Sequence, residues 1–119
     1  METRGQSGEK RAANYLRLHG YRIVEMNYRC RMGEIDIIAE NRSFIVFAEV
    51  KLRKDSSHGE AREFVTPAKQ RRIITAAELW LSAHETEKQP RFDVIEIYAP
   101  GDADRGHIRI NHLENAFEV

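Results

Sequence analysis

Hydrophobic and polar positions follow two periods along the chain, one of 3.6 residues and one of two. From Ser7 to His19, Ala12, Tyr15, Leu16 and His19 fall on one helical stripe, and Gly20 supplies a stop. Three strand-like segments follow: Tyr21 to Tyr28, Gly33 to Glu40 and Phe44 to Leu52. An Arg-rich bend separates the first two. Asn41-Arg42 between the others is short enough for a two-residue hairpin loop, and Asn tolerates the positive φ such a loop needs. Asp55 to Glu63 has no apolar period and reads as a mobile loop. A second helix begins at Thr66-Pro67, a hydroxyl N-cap followed by Pro at the first helical position. Its apolar stripe is Ile73, Ala76, Ala77, Trp80 and Leu81, and it ends before Pro90. Phe92 to Tyr98 is a fourth strand, Pro100 to Gly106 a turn-rich loop, and His107 to Asn111 a short fifth strand.

The resulting order is α-β-β-β-α-β-β, and a strand, crossover helix and strand imply one parallel pair inside a mixed sheet. The expected fold class is therefore α/β: one mixed central sheet flanked by helices, forming a single domain over residues 1–119. A length of 119 residues, 41% of them hydrophobic, suffices for one core. No stretch approaches the ~20 consecutive apolar residues of a membrane span. Residues 1–10 are polar, without the apolar run of a secretory signal. Cys30 is the only cysteine, which excludes an intrachain disulfide and a Cys-based zinc site. A cytoplasmic location is the expectation that follows. The chain has no Gly-x-x-x-x-Gly-Lys, Gly-x-Ser-x-Gly or Gly-x-Gly-x-x-Gly, so P-loop, serine-hydrolase and Rossmann chemistry find no support.

Nineteen basic and nineteen acidic residues cancel, but they are segregated. Residues 1–31 and residues 51–72 each carry seven Lys/Arg against three acids, while residues 32–50 hold four acids and one Arg. Two basic segments thus flank an acidic one, and local charge, not the total, sets the field a ligand meets.

The acidic segment holds the candidate chemistry. Strand alternation puts Glu49 and Lys51 on one face with Ile45 and Phe47. A hairpin closed at Asn41-Arg42 pairs Glu40 with Ser43, sets Asp36 opposite Phe47, and sets Glu34 opposite Glu49. Asp36 then lies diagonal to Glu49 on the same face. Like charges on paired strands repel, and Asp is disfavoured inside a strand, here among Ile35, Ile37 and Ile38. A local rule broken without visible compensation points to function. A divalent cation would remove the repulsion, and carboxylate oxygens suit Mg²⁺ or Mn²⁺.

At Gly8-Glu9, Gly33-Glu34-Ile35-Asp36, Glu49-Val50-Lys51, Lys69-Gln70 and Asn115-Ala116-Phe117 the sequence resembles the PD-(D/E)xK nuclease superfamily, with its restriction-endonuclease-like fold. More narrowly, it is similar to the small bacterial YraN-like proteins, themselves similar to archaeal Holliday-junction resolvases. The resemblance covers nearly the whole chain. It implies Asp36 and Glu49 as metal ligands, Lys51 as the catalytic lysine, and Glu9 as an additional helix acid. Ile35 stands where the motif has Pro. Gln70 is implied near the scissile phosphate, and Glu34 is a third acid at the metal or an outer partner of it. Arg53, Lys54, Lys69, Arg71 and Arg72 are candidates for a phosphate track. The implied activity is metal-dependent endonucleolytic hydrolysis of DNA, with branched or damaged forms among the candidate substrates. The alternative is a non-catalytic nucleic-acid-binding or accessory protein of the same fold. Nucleic acid is the expected partner, no membrane is expected, and a homodimer is compatible with the sequence.

Other residues have plainer readings. Trp80 belongs to the apolar stripe and is expected in the core. His107 and His112 lack zinc-ligand spacing. His58 falls in the loop, and Asp93, between Phe92 and Val94, is a candidate support for the acidic site.

Overall fold

The expected element order is present in the structure, a computed structural model that describes residues 4–53, 65–98 and 108–118. Its elements are α1 (Arg4–Leu18), β1 (Arg22–Cys30), β2 (Gly33–Glu40), β3 (Phe44–Arg53), α2 (Pro67–Ala83), β4 (Gln89–Tyr98) and β5 (Arg109–Phe117). The loops expected at 55–63 and 100–106, together with Lys54, His58 and His107, lie outside the described residues. The sheet runs β1-β2-β3-β4-β5, with β3 and β4 parallel and the other neighbours antiparallel. It is a single small α/β domain, the arrangement expected of a restriction-endonuclease-like fold. No helix among the described residues is long and apolar enough to cross a membrane.

Local chemistry sets the helix ends. Thr66 Oγ1 accepts from the Lys69 amide at 3.1 Å, with Pro67 opening the helix as expected. At the end of α1, Tyr21 N–H donates to Leu16 O and Gly20 N–H to Arg17 O, a Schellman closure that Gly20 permits at φ +88°. Each helix then covers one face of the sheet. Ile73, Ala76, Ala77 and Trp80 of α2 pack on Ile38, Ile45, Phe47, Phe92 and Val94. Ala12, Ala13 and Leu16 of α1 pack on Ile37, Ala39, Val46, Ala48, Ile95 and Ile97. Burying each large side chain contributes roughly 1.5–3 kcal/mol. Trp80 is core, and its indole N–H is satisfied by Glu25 at 3.1 Å.

Two expectations need correction. The β2–β3 connection is longer than two residues: Glu40 pairs with Ile45, not Ser43. Asn41 Oδ1 accepts from the amides of Ser43 and Phe44, at 3.0 and 2.8 Å, and this side-chain turn replaces the tight hairpin. The register therefore moves by two, so Glu34 does not oppose Glu49. Strand β5 is also longer than expected, reaching Phe117 through a polar stretch that contains Asn115 at φ +53°.

Candidate functional site

The sheet forks where the acids lie. The β1–β2 ladder continues to the pair Cys30–Gly33, and the β3–β4 ladder continues to Arg53–Tyr98. The β2–β3 ladder between them stops at Ile37–Ala48. The first half of β2 thus leaves with β1 while the second half of β3 stays with β4. Asp36 sits at the fork, one position beyond the last pair, where the register brings it across from Glu49. Its Oδ2 accepts the Val50 amide at 2.8 Å, so the carboxylate takes over a backbone donor that the parted ladder leaves behind. The same position breaks the alternation of β2. Ile35 and Ile37 share parity, yet Ile35 packs beneath α2 and Ile37 beneath α1. Asn27, facing Asp36 from β1, takes φ +53° and makes the corresponding switch on its own strand.

Asp36 and Glu49 are both buried. Burial and then the charge of Glu49 push the Asp36 carboxyl up from 3.8 to about 7, against the lowering effect of the Val50 amide; Glu9 and Glu34 add to the rise. Burial also raises Glu49, while Lys69 and Lys51 pull it back down. Their Nζ atoms lie 3.8 and 3.7 Å from Glu49 Oε1. The site is thus two buried carboxylates held close together, with two ammonium groups against one of them.

Both helices approach this point. Gly8 of α1 is buried against Leu52, and a Cβ there would come within 2.9 Å of that side chain. The charge of the next residue, half-buried Glu9, adds to the rise of the Asp36 carboxyl. From α2 comes Lys69, which the sequence suggested only for a phosphate track. Gln70 is in the first turn as expected, and its amide donates to Val65 O at 2.8 Å, tying the helix to the segment before it. Glu34 is half exposed at the rim and pairs with Arg29 at 3.3 Å. Arg71 and Arg72 are exposed on α2. Arg53 is drawn toward Glu96, at 3.9 Å, instead of standing in solvent. Fully buried Glu96 also accepts from Tyr98 and Asn111, each at 2.7 Å.

Asp93 does not support the acids. It lies on the α1 face, where Arg91 holds it with two bonds of 2.9 and 2.8 Å. His112 Nε2 lies 2.6 Å from Asp93 Oδ2, and the Asn115 amide donates to Oδ1 at 3.0 Å. Burial alone would raise this carboxyl, but His112, Arg91 and the amide together hold it below its ordinary range.

The donor set fits Mg²⁺ or Mn²⁺. Among the described residues no three or more His, Cys, Asp or Glu side chains form a closed cage. Two hard carboxylates buried together at a sheet fork, only one of them with ammonium partners, match the way Mg²⁺ binds, through one or two carboxylates with remaining positions left to water and phosphate.

Comparison with known proteins agrees with this extent of chain. A family model described as "Uncharacterised protein family UPF0102" matches residues 8–97, which include Glu9, Asp36, Glu49, Lys51 and Lys69. The chain is 47% identical over 118 residues to a UPF0102 protein of Pelobacter propionicus, covering 97% of this chain and 82% of that one. It is 44% identical over 116 residues to a UPF0102 protein of Symbiobacterium thermophilum, with 97% and 96% covered. A UPF0102 protein of Chlorobium phaeobacteroides is 48% identical over 117 residues, with 95% and 92% covered. The chain belongs to the UPF0102 family.

Proposed function

We propose that this UPF0102 protein is a Mg²⁺- or Mn²⁺-dependent endonuclease of the PD-(D/E)xK superfamily that hydrolyses phosphodiester bonds in DNA, branched or damaged forms included. One observation carries the reading: Asp36 and Glu49 are buried together at the fork of the sheet, and Lys51 stands beside Glu49. Asp36 and Glu49 would hold the metal. When bound, the ion lowers the pKa of a water and polarises a phosphoryl oxygen.

The chain's own groups do the rest. Lys51, 3.7 Å from Glu49, orients the attacking water and neutralises charge that develops on the phosphoryl oxygens. Lys69 reaches the same carboxylate from α2 and offsets its charge before the ion arrives. Glu34 and Glu9 stand outside the pair and tune its affinity for cations. Exposed Arg71 and Arg72 meet the phosphates that flank the cut.

A metal-titrated cleavage assay over linear, flapped and four-way-junction DNA tests this. The expected result is cleavage that requires Mg²⁺ or Mn²⁺ and is lost in Asp36→Asn. Cleavage without a divalent ion, or equal cleavage by Asp36→Asn, contradicts it. Binding of all forms with cleavage of none would favour the non-catalytic module.

A further inference from the structure

The turn between β1 and β2 has chemistry that the acid pair does not explain. Residues 31 and 32 form its tip, and Met32 there is 45% exposed. Behind the tip, an open groove of about 500 Å³ runs between the turn and the start of α2. Its lining combines apolar Met32 and Ile73 with cationic Arg29, Arg31, Lys69 and Arg72, and it ends on Glu34 at the rim of the acid site. Arg29 is paired with Glu34 and Lys69 with Glu49. Among the described residues, no carboxylate lies within ion-pair distance of Arg31 or Arg72. Gly33 holds the groove's two walls together. It sits at φ +153°, with the Arg72 carbonyl oxygen only 3.2 Å from where a Cβ would be, so the turn docks directly on the helix backbone.

We infer that this groove holds one nucleotide of the bound strand next to the cut, its base drawn out of the stack by Met32 and its phosphate held by Arg31 and Arg72. An exposed thioether at the tip of a turn is a shape that enters between base steps, as apolar wedges do when they unstack and kink nucleic acid. The cations around it match a phosphate, and the volume lies in the range that encloses a small ligand group. The groove is continuous with the acid pair through Glu34 and Lys69, so an occupant there is the neighbour of whatever the pair engages. The inference rests on the nuclease reading for the identity of the strand. It adds that a nucleotide next to the cut is gripped, and that the grip requires an unstacked base.

Oligonucleotides carrying 2-aminopurine at successive positions, single-stranded and duplex, test it in EDTA, where binding is read without cleavage. The wild-type protein should raise 2-aminopurine fluorescence at one position of the duplex. Met32→Ala should lose that rise while still binding. Arg31→Ala should lower the slope of log affinity against log salt by about one unit. Both side chains are exposed, so the variants should melt with the wild type. A rise that persists in Met32→Ala, or none in the wild type while the duplex is bound, overturns the inference and leaves the nuclease reading intact. Failure of every oligonucleotide to bind in EDTA overturns the inference, whereas the nuclease reading, which needs the ion, falls only if no form is cleaved with Mg²⁺ or Mn²⁺.

Discussion

Replacing Asp36 by Asn should make the metal-free protein more stable, because the wild-type carboxylate is held against its own preference. Its folded pKa of about 7, against the ordinary 3.8, spans an interval of about three pH units. At 1.36 kcal/mol per unit, the native state loses about 4 kcal/mol relative to the unfolded chain once pH has passed through that interval. The sign follows from proton counting. Between pH 4 and 7 the native state keeps a proton that the unfolded chain has released, so stability falls as pH rises and levels off above 7. Glu49, also raised, slopes the same way. Asn cannot ionise, and its carbonyl oxygen can still accept the Val50 amide. Urea unfolding in EDTA from pH 4 to 8 should therefore show Asp36→Asn more stable by about 2–4 kcal/mol at pH 8, with the gap closing toward pH 4. Mg²⁺ at pH 8 should raise wild-type stability by about 1.4 kcal/mol at tenfold excess over Kd, and leave the variant unmoved. A variant no more stable than wild type at pH 8, or a gap independent of pH, refutes the reasoning.

Asp93→Asn should act oppositely, costing about 3 kcal/mol because it leaves buried Arg91 with only the exposed carboxylate of Glu114, 3.9 Å away, as a charge partner; urea unfolding at pH 7 checks this. The stability that Asp93 contributes should be present above the ordinary carboxylate range and lost in acid, since its folded pKa is lowered. Gly33→Ala should destabilise by about 1–3 kcal/mol, as its backbone conformation is strained for a side chain and the added Cβ meets the Arg72 carbonyl oxygen; thermal melts read this directly.

How much of this was legible depends on the range of the interaction. The span of β2 and the Thr66-Pro67 start of α2 follow from residues within a few positions of each other, and both were readable. So was the shared face of Glu49 and Lys51. The β2–β3 register was not, because Asn41 closes the turn with its side chain, a choice invisible in composition. A shift by two preserves the face, so Asp36 and Glu49 stayed together while Asp36 took the place expected for Glu34. The fork in the sheet, and with it the burial of both acids, is a tertiary property. Lys69 reached Glu49 across 20 positions of sequence, and nothing in its helix periodicity indicated that. Strand β5 was read short because its polar residues, His112 above all, are satisfied by a buried carboxylate, Asp93, on the neighbouring strand β4. Besides the motif resemblance and the shared face of Glu49 and Lys51, the residue-level signal for the site was an aspartate out of place among isoleucines.

The central claim is that Lys51 acts in chemistry at a metal held by Asp36 and Glu49. Single-turnover cleavage with Mn²⁺ at saturating protein, comparing wild type with Lys51→Ala, tests it most directly. The account predicts a rate lower by about 10²-fold or more in Lys51→Ala, the scale of a lost acid–base or electrostatic group, with Mn²⁺ still stabilising the variant. Equal single-turnover rates in the two proteins would contradict it.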